Sequence, residues 1–427
     1  MTARDLALFE LDRRQLPGWP SRELRKVRGT PPNDPRDLAL AEQILVGVIK
    51  NHLRLQHRIE QYSGRKLKSI DTIVQKILSI GLYQLLFLDR IPSSAAVNEA
   101  VEQTKRFGRT KAAGFVNAIL RKASATAIPE LPPSALKNPA QYAHRELSHP
   151  KELFDRLTKL LGSDDAIRFC EHDNREPPTI VRLSAGITPS ELECPGVSIT
   201  PHEHQGMFIV APAKKSVLAD WSLRRLAQVQ DPTAARVVDN AGIKAGQYVL
   251  DRCAGLGTKT MQLLERVGPT GTIVAIDPSP DRCRTLRALL AERNIANVHV
   301  HERAMLADIP ELRATLFDVA LLDVPCSNSG VLARRPEARY SQTHALLQSL
   351  DALQSAILDD TAPHIRPGGI ILYSTCSIWP EENQQQIERF LNRHPHFNLQ
   401  AEQSTLPELS LDIAKYHDGG YWAVLRG

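Results

Sequence analysis

The sequence predicts a multidomain protein with an all-α front part, a small α+β middle part and a C-terminal α/β domain built on a doubly wound sheet. In the first third of the chain, apolar residues repeat at helical spacing. From about residue 220 onward, short apolar strands alternate with helical stretches. The length of 427 residues also exceeds what one hydrophobic core usually serves.

The front part, residues 1–127, is predicted to be all-helical. Helical spacing of apolar side chains is clear over 38–49 and 70–78, and Asp71 supplies a helix start signal. Two further helices are expected within 97–105 and 113–120. Basic residues surround the turn between these two helices, which indicates either a solvated helix face or a contact to nucleic-acid phosphates. The candidates for that contact are Arg106, Arg109 and Lys111.

The middle of the chain is predicted from its prolines and a change of pattern. Residues 128–145 are proline-rich at their start and are interpreted as a linker. Residues 146–218 are predicted to form a small α+β subdomain that binds RNA, with helical patterns at 150–161 and 164–172 and a strand from Thr179.

The last part, residues 219–427, is predicted to hold a mostly parallel sheet. Strands are expected at 248–251, 272–277, 298–301, 317–322 and 369–373, with helices between them. Ligands bind such sheets in the crevice outside the carboxyl ends of the strands. Functional side chains are therefore expected just after each strand.

Composition excludes some classes of protein. The chain is 42% hydrophobic and 24% charged with a formal net charge of +5, which permits a polyanionic partner without requiring one. No apolar run is long enough to cross a membrane, and no apolar stretch follows Met1 as a secretory signal would require. The six cysteines show no paired spacing, so we expect reduced thiols in a cytoplasm and neither disulfides nor a zinc site.

A glycine-containing loop follows the first strand of the last part. Gly255 and Gly257 would let a ligand approach the backbone, and Asp277, at the end of the next strand, suits a ribose diol. The loop lacks the spacing of a dinucleotide-binding motif. It therefore indicates either a nucleotide or S-adenosylmethionine site or a purely structural turn.

Two cysteine segments, Asp323-Val-Pro-Cys326 and Ser374-Thr-Cys376-Ser377, each follow an apolar strand. A thiolate that adds to carbon 6 of a cytosine ring makes carbon 5 nucleophilic enough to accept a methyl group. Asp323 could then stabilise the adduct at ring N3, provided that burial raises its pKa. The alternative is that both cysteines are small buried residues, which is the commoner fate of a free thiol.

Two resemblances extend this interpretation. The runs Pro92–Gly108 and Phe115–Lys122 resemble the NusB family of RNA-binding antitermination factors. The C-terminal part resembles the RNA (cytosine-5) methyltransferases of the NOL1/NOP2/Sun family, in Asp251–Thr260, the Asp323–Leu332 segment and Thr375-Cys-Ser-Ile-Trp-Pro-Glu-Glu-Asn383. Together they cover nearly the whole chain. The second implies a Rossmann-like, S-adenosylmethionine-dependent methyltransferase domain.

The methyltransferase resemblance also implies roles for individual residues. Cys376 would attack carbon 6, Cys326 would assist release of the methylated RNA, and Asp323 would contact the target base near the methyl donor. Asp277 would bind the donor's ribose. The donor's methionine part would be wrapped by Cys253, Ala254, Gly255, Leu256, Gly257, Thr258 and Lys259. Spacing alone leaves the two thiols interchangeable.

The implied partner is 16S ribosomal RNA or a small-subunit assembly intermediate, bound by a cytoplasmic monomer without a metal. Candidate phosphate contacts after the Cys326 segment are Arg334, Arg335 and Arg339, with a solvated basic loop as the alternative. Two other functions stay open. One is methylation of transfer RNA, and the other is an RNA-binding or assembly role without turnover.

The chain departs from the family pattern in two segments. The usual donor loop reads Cys-Ala-Ala-Pro-Gly-Gly-Lys, whereas this chain has Leu256 and Thr258 in place of the proline and the second glycine. After the third strand the family has Gly-Asp, which contacts the donor's adenine, and this chain has Arg303-Ala304. Asp308, one helical turn further on, is the candidate substitute, and the alternative is that apolar contacts alone hold the adenine.

Overall fold

The computed structural model describes residues 1–14, 16–17, 32, 34–126, 128–129 and 138–427. The chain divides into two compact units. The first comprises residues 1–175 and 335–341, and the second comprises residues 176–334 and 342–427. Within the described ranges, no helix combines the length and the apolar character that a membrane crossing requires.

The first unit is all-helical, as predicted. A long central helix is surrounded by the others and is buried along almost its whole length. Its start at Thr72 follows the predicted signal, since Asp71 accepts a hydrogen bond from the backbone N–H of Val74 at 3.1 Å. The helices are α1 (Ala3–Asp12), α2 (Pro35–Lys50), α3 (His52–Ser63), α4 (Thr72–Phe87), α5 (Ser93–Arg106), α6 (Ala113–Ala125), α7 (Pro139–Arg145), α8 (Lys151–Leu161) and α9 (Ser163–Asn174).

The predicted linker at 128–145 differs from the structure in its second half. Its residues 130–137 lie outside the described residues, but α7 occupies 139–145. Asn138 caps that helix by accepting a hydrogen bond from the Ala140 N–H at 3.0 Å, and Pro139 occupies the first turn. Pro139, which lies after the prolines that suggested a linker, starts a helix.

The boundary expected at residue 146 also differs from the structure. Helices α8 and α9 belong to the first unit, which extends to residue 175. Their amphipathic spacing was visible in the sequence. That spacing shows that one face is buried, but it does not show which core buries it.

The second unit begins with a small antiparallel sheet, which has the order β2-β3-β1-β4. Its strands are β1 (Thr179–Leu183), β2 (Ser198–Pro201), β3 (Met207–Ala211) and β4 (Ala227–Val229), with α10 (Lys215–Leu223) before the last. Apolar side chains of β1 and β3 pack with Trp221 of α10 on one face.

The large sheet of the second unit has seven strands in the order β10-β11-β9-β8-β5-β6-β7. Apolar clusters cover both of its faces. The strands are β5 (Tyr248–Asp251), β6 (Thr272–Ile276), β7 (Val298–His301), β8 (Phe317–Asp323), β9 (Ile365–Thr375), β10 (Asn398–Thr405) and β11 (Gly420–Arg426). The helices are α11 (Pro232–Asp239), α12 (Thr258–Val267), α13 (Pro280–Glu292), α14 (His344–Thr361) and α15 (Gln384–Arg393).

Strands β5 to β9 are parallel and confirm the predicted doubly wound core. The last two strands are antiparallel, so the sheet is mixed. Strand β10 was not predicted, because it lies at the sheet edge with mostly exposed side chains and shows no apolar alternation. The strand order reverses between β5 and β8, and ligands bind parallel sheets at such a switch point.

Candidate active site

Two cysteines face each other at the carboxyl ends of neighbouring strands. Cys326 follows β8 and Cys376 follows β9, and the register pairs Asp323 with Ser374 just before them. This register brings the two sulfur atoms to 3.0 Å, although 50 residues separate them in sequence. The expectation that both segments meet at one sheet edge agrees with this geometry.

The loop after Cys326 is shaped by a left-handed residue and a glycine. Asn328 has φ +59°, and its side-chain amide donates to the Cys326 carbonyl at 3.0 Å. Its Oδ1 accepts a hydrogen bond from the Cys376 thiol at 3.2 Å. Gly330 packs so closely on Gly419 that a Cβ would lie 2.6 Å from that backbone. The loop therefore holds an amide against both cysteines.

Lys259 and Asp323 form an ion pair beside the thiols. The Lys259 Nζ lies 2.6 Å from Asp323 Oδ2, while Ser374 donates to Asp323 Oδ1 at 2.8 Å. Burial alone would lower the pKa of Lys259, but the Asp323 carboxylate and the nearby Cys376 raise it above its ordinary value. Lys259 thus remains a cation at the first turn of α12 and orients the carboxylate.

The ion pair and one thiol open onto a common cavity. Its walls include Lys259, Asp323, Cys376, Asp231 and Asp418. The cavity thus presents a carboxylate, an ammonium and a sulfur atom together. The arrangement can support nucleophilic attack by sulfur with charge stabilisation from the side.

The two thiols have different environments. The hydrogen bond with Cys376, followed by burial, raises the pKa of Cys326 well above its ordinary value. Cys326 therefore keeps its proton at neutral pH and can donate it toward the Cys376 sulfur.

The predicted donor loop connects β5 to α12. The Gly255 N–H donates to Asp277 Oδ2 at 3.0 Å, so loop and strand end are joined. Gly257 has φ +91°, and a Cβ there would lie 2.5 Å from a Leu286 methyl carbon. Burial raises the pKa of Cys253 to about 12, which makes it a neutral thiol, and the Leu256 side chain is exposed.

Asp251, at the end of β5, carries a polar atom without a partner. Its Oδ2 accepts a hydrogen bond from Thr260 at 2.6 Å, but its buried Oδ1 has no partner among the described residues. Burial raises the pKa of this carboxyl to about 7. An unsatisfied carboxylate oxygen beside a glycine loop fits a ligand that brings an ammonium group.

The segment after β7 is held by a buried arginine. Arg252 donates to the Ala304 carbonyl and, at 2.9 Å, to Asp360. Asp360 also accepts from the Leu306 N–H at 2.9 Å. The position where the family has aspartate is therefore occupied by Ala304, whose backbone carbonyl is bound by the buried Arg252. Asp308 is exposed.

Sequence reasoning missed several polar residues of the site. Glu382 is buried between the two cysteine loops and accepts hydrogen bonds from both. Asp231 and Asp418 line the cavity. Burial and the neighbouring Asp231 raise the pKa of Asp418 to about 7, despite its bond with Arg334. Nothing in local composition distinguishes these carboxylates from surface ones.

Two of the predicted phosphate contacts bond to groups within the protein. Arg339 is buried, and its guanidinium donates to the Asp173 carbonyl and to Asn174 Oδ1. Arg334 forms ion pairs with Asp418 at 2.6 Å and with Asp231 at 3.5 Å, so its charge is already compensated. A basic run in sequence does not reveal such internal partners.

Of the other four predicted phosphate contacts, two form ion pairs within the protein and two are exposed. Arg106 pairs with Asp5 and Glu99, and Arg109 pairs with Asp71. Arg335 and Lys111 are exposed.

Within the described ranges, no group of three or more His, Cys, Asp or Glu side chains could hold a metal ion.

Comparison with known proteins matches each part of the chain to its own family model. Residues 242–416 match the family model "16S rRNA methyltransferase RsmB/F", and residues 1–125 match the NusB family. A crystal structure of a methyltransferase homologue from Pyrococcus horikoshii has a TM-score of 0.56 and 26% identity, covering 69% of this chain and 99% of that one.

Curated relatives cover almost the whole chain. The ribosomal RNA small subunit methyltransferase B of Yersinia enterocolitica is 30% identical, with 91% of this chain and 90% of that protein covered. The protein of the same name from Vibrio cholerae is also 30% identical, with 92% and 90% covered. On this evidence the chain belongs to the 16S rRNA methyltransferase RsmB/F family.

Proposed function

We propose that this protein methylates carbon 5 of a cytosine in 16S ribosomal RNA, with S-adenosylmethionine as donor and Cys376 as covalent nucleophile. The observation that carries the proposal is the 3.0 Å approach of Cys326 and Cys376 beside the Lys259–Asp323 ion pair. A reaction that needs one sulfur to attack and a second group to end the adduct accounts for two thiols in contact. The names of the curated relatives support the RNA substrate.

The covalent step follows from the ring chemistry of cytosine. The Cys376 thiolate adds its electron pair to carbon 6, and the ring double bond shifts so that carbon 5 becomes nucleophilic. Ring N3 takes up a proton from solvent as the adduct forms, and the Asp323 carboxylate, held in position by Lys259 at 2.6 Å, would accept a hydrogen bond from that N3–H. S-adenosylmethionine, when bound, supplies the electrophilic methyl group.

Release reverses the addition. The proton on carbon 5 leaves to a base, its electron pair restores the ring double bond, and Cys376 departs as a thiolate. Cys326, whose raised pKa keeps it protonated, can donate a hydrogen bond to the departing sulfur. The structure thus supports attack by Cys376 and assistance by Cys326, a difference that spacing left open.

The donor is assigned to the loop between β5 and α12. Cys253 to Lys259 would surround its methionine part, and the unpartnered Asp251 oxygen would accept a hydrogen bond from its ammonium group. Asp277, at the end of β6, would meet the ribose hydroxyls. Since Ala304 offers no side-chain acceptor for adenine, backbone groups near the anchored 304–306 segment would serve instead.

We propose that two of the six predicted basic residues contact RNA phosphates directly. Arg335 and Lys111 are exposed and remain candidates for phosphate contacts. Arg106 and Arg109 would have to exchange internal carboxylate partners for phosphates. We therefore assign them a smaller part in RNA affinity.

The test is adduct trapping with Cys326→Ala. Purified variant, S-adenosylmethionine and 16S ribosomal RNA fragments should give a covalent protein–RNA band on denaturing gels, because attack proceeds while release is slowed. Cys376→Ala is the matched control and should give no band. A Cys326→Ala enzyme with normal turnover and no adduct would contradict the assignment.

The substrate is tested separately. Bisulfite sequencing of 16S ribosomal RNA and transfer RNA, each incubated with the enzyme and donor, should reveal a modified cytosine in the ribosomal RNA. Modification of transfer RNA alone would change the substrate and leave the chemistry intact. Failure of S-adenosylmethionine to bind at millimolar concentration would favour a role without turnover.

A further inference from the structure

Glu382 is a carboxylate buried between the two cysteine loops, with 1% of its surface exposed. Its Oε1 accepts hydrogen bonds from the Ser327 N–H at 2.9 Å and from the Gln354 amide at 3.0 Å. Its Oε2 accepts from the hydroxyls of Ser327 and Ser377, each at 2.5 Å. These serines directly follow Cys326 and Cys376, so one side chain joins both loops.

The donors around Glu382 are all uncharged. Burying a carboxylate without a cation is costly, and only complete hydrogen bonding makes it tolerable. An apolar side chain of similar volume would fill the same space at lower cost. The feature that an apolar residue could not reproduce is the connection between the two serines.

Further hydrogen bonds extend this connection. The Ser329 and Ser377 hydroxyls lie 3.0 Å apart, and the Ile378 N–H donates to Ser329 at 3.0 Å. The Gly330 N–H donates to the Cys376 carbonyl at 2.9 Å. The backbone of one loop is thereby fixed against the other within four residues of Cys326 and within two of Cys376.

We propose that Glu382 is a positioning residue that holds the Cys326 thiol against the Cys376 sulfur. It thereby keeps release of the covalent adduct fast enough that the adduct does not accumulate after attack. The kinetic part of this statement rests on the proposed function, whereas the geometric part does not. Without Glu382, Ser327 beside Cys326 and Ser377 beside Cys376 lose their common acceptor, and only the bonds made directly between the loops remain. Attack by Cys376 then continues, since Lys259 and Asp323 are untouched, but the adduct persists.

Two substitutions of Glu382 separate the effect of its hydrogen bonds from the effect of its negative charge. Glu382→Ala removes all four acceptor contacts. Glu382→Gln keeps an oxygen for Ser327 and Gln354, and its amide can donate to serine hydroxyls that rotate to accept, so the loops stay joined. Glu381→Ala, at the exposed neighbouring position, is the matched control.

The first measurement requires neither RNA nor donor. Phenylarsine oxide bridges two thiols that lie close together, forming two As–S bonds and releasing one water while arsenic stays trivalent. The full chain should bind it through Cys326 and Cys376, protecting both from alkylation as read by mass spectrometry. We expect Glu382→Ala to weaken this binding at least about tenfold, with Glu382→Gln and Glu381→Ala near wild type and Cys326→Ala without bridging.

The second measurement adds RNA and S-adenosylmethionine. Glu382→Ala should accumulate the covalent adduct as Cys326→Ala does, with turnover lowered, whereas Glu382→Gln should retain most turnover. If Glu382→Ala bridges the arsenical and turns over like wild type, the proposal is overturned. If wild type and Cys326→Ala give neither methylation nor adduct while arsenical bridging still depends on Glu382, the proposed function fails and the positioning role stands.

Circular dichroism and thermal unfolding are used to check that each variant is folded. Should Glu382→Ala fail to fold, the double variant Ser327→Ala and Ser377→Ala removes the two hydroxyl donors to Oε2, together with their bonds to Ser329 and the acceptor of the Trp379 N–H. It should lose part of the arsenical binding and show some adduct. Wild-type bridging and no adduct in that folded variant would equally overturn the proposal.

Discussion

Replacement of Asp251 by Asn should make the protein's stability less sensitive to pH. Burial raises the pKa of Asp251 from 3.8 to about 7. A carboxyl with a raised pKa stabilises the folded state below its unfolded pKa, and this contribution is lost as the pH rises through the folded value. Asparagine keeps the acceptor for Thr260 but cannot ionise, so it behaves like the protonated acid at every pH.

The magnitude follows from the two pKa values. At about 1.4 kcal/mol per pKa unit, the difference between 3.8 and about 7 amounts to about 4 kcal/mol in all. About 3 kcal/mol of this falls between about pH 5 and about pH 8.5. The free energy of unfolding of Asp251→Asn, relative to wild type, should therefore rise by about that amount over this range.

Urea unfolding followed by tryptophan fluorescence is a suitable assay, since Trp221, Trp379 and Trp422 all belong to the second unit. Asp281→Asn is the control, because Asp281 is exposed and should show no such change. A relative stability of Asp251→Asn that is equal at both pH values would refute the reasoning. Under the proposed function, S-adenosylmethionine affinity by calorimetry should also rise through pH 7 in wild type and not in the variant.

Two further substitutions test the donor loop and the acidic pair. Gly257→Ala should destabilise the protein by about 1–3 kcal/mol, because φ +91° is strained for alanine and the new methyl meets Leu286 at 2.5 Å. Gly255→Ala, where a Cβ meets nothing within 4 Å, should cost only about 1 kcal/mol, and equal unfolding midpoints for the two would contradict this. Arg334→Ala should cost about 3–5 kcal/mol by leaving Asp418 and Asp231 buried without their cation. The control Arg335→Ala, at an exposed position, should stay within about 0.5 kcal/mol in thermal unfolding.

The sheet core and the meeting of the cysteines could be predicted because their determinants are local. Strands β8 and β9 end in continuous buried runs, which identify parallel strands from sequence alone. Parallel strands bring their carboxyl ends to one edge, so Asp323, Cys326 and Cys376 were expected at the same edge, and the pairing of β8 with β9 makes them neighbours. Strand β10 has the opposite character, with exposed polar residues whose pairing depends on β11.

The polar residues that organise the site could not be predicted, because their burial is decided by distant chain segments. Glu381 and Glu382 are adjacent and chemically identical, yet the first is exposed and the second is buried among serines from two loops. Arg335 and Arg339 likewise belong to one basic stretch, yet only Arg335 is exposed. In both cases the fold, and not local composition, selects the buried residue.

The first unit is completed by a short segment, residues 335–341, that is synthesised long after the rest of it. Arg339 of this segment satisfies the Asp173 carbonyl, Asn174 and the Lys50 carbonyl. At about 5–20 residues per second, the ribosome needs on the order of 10 s or more to pass from residue 175 to residue 341. The amino-terminal helices are therefore synthesised well before the segment that packs on them. A fragment ending at residue 175 would lack the hydrogen bonds that Arg339 makes to Lys50, Asp173 and Asn174.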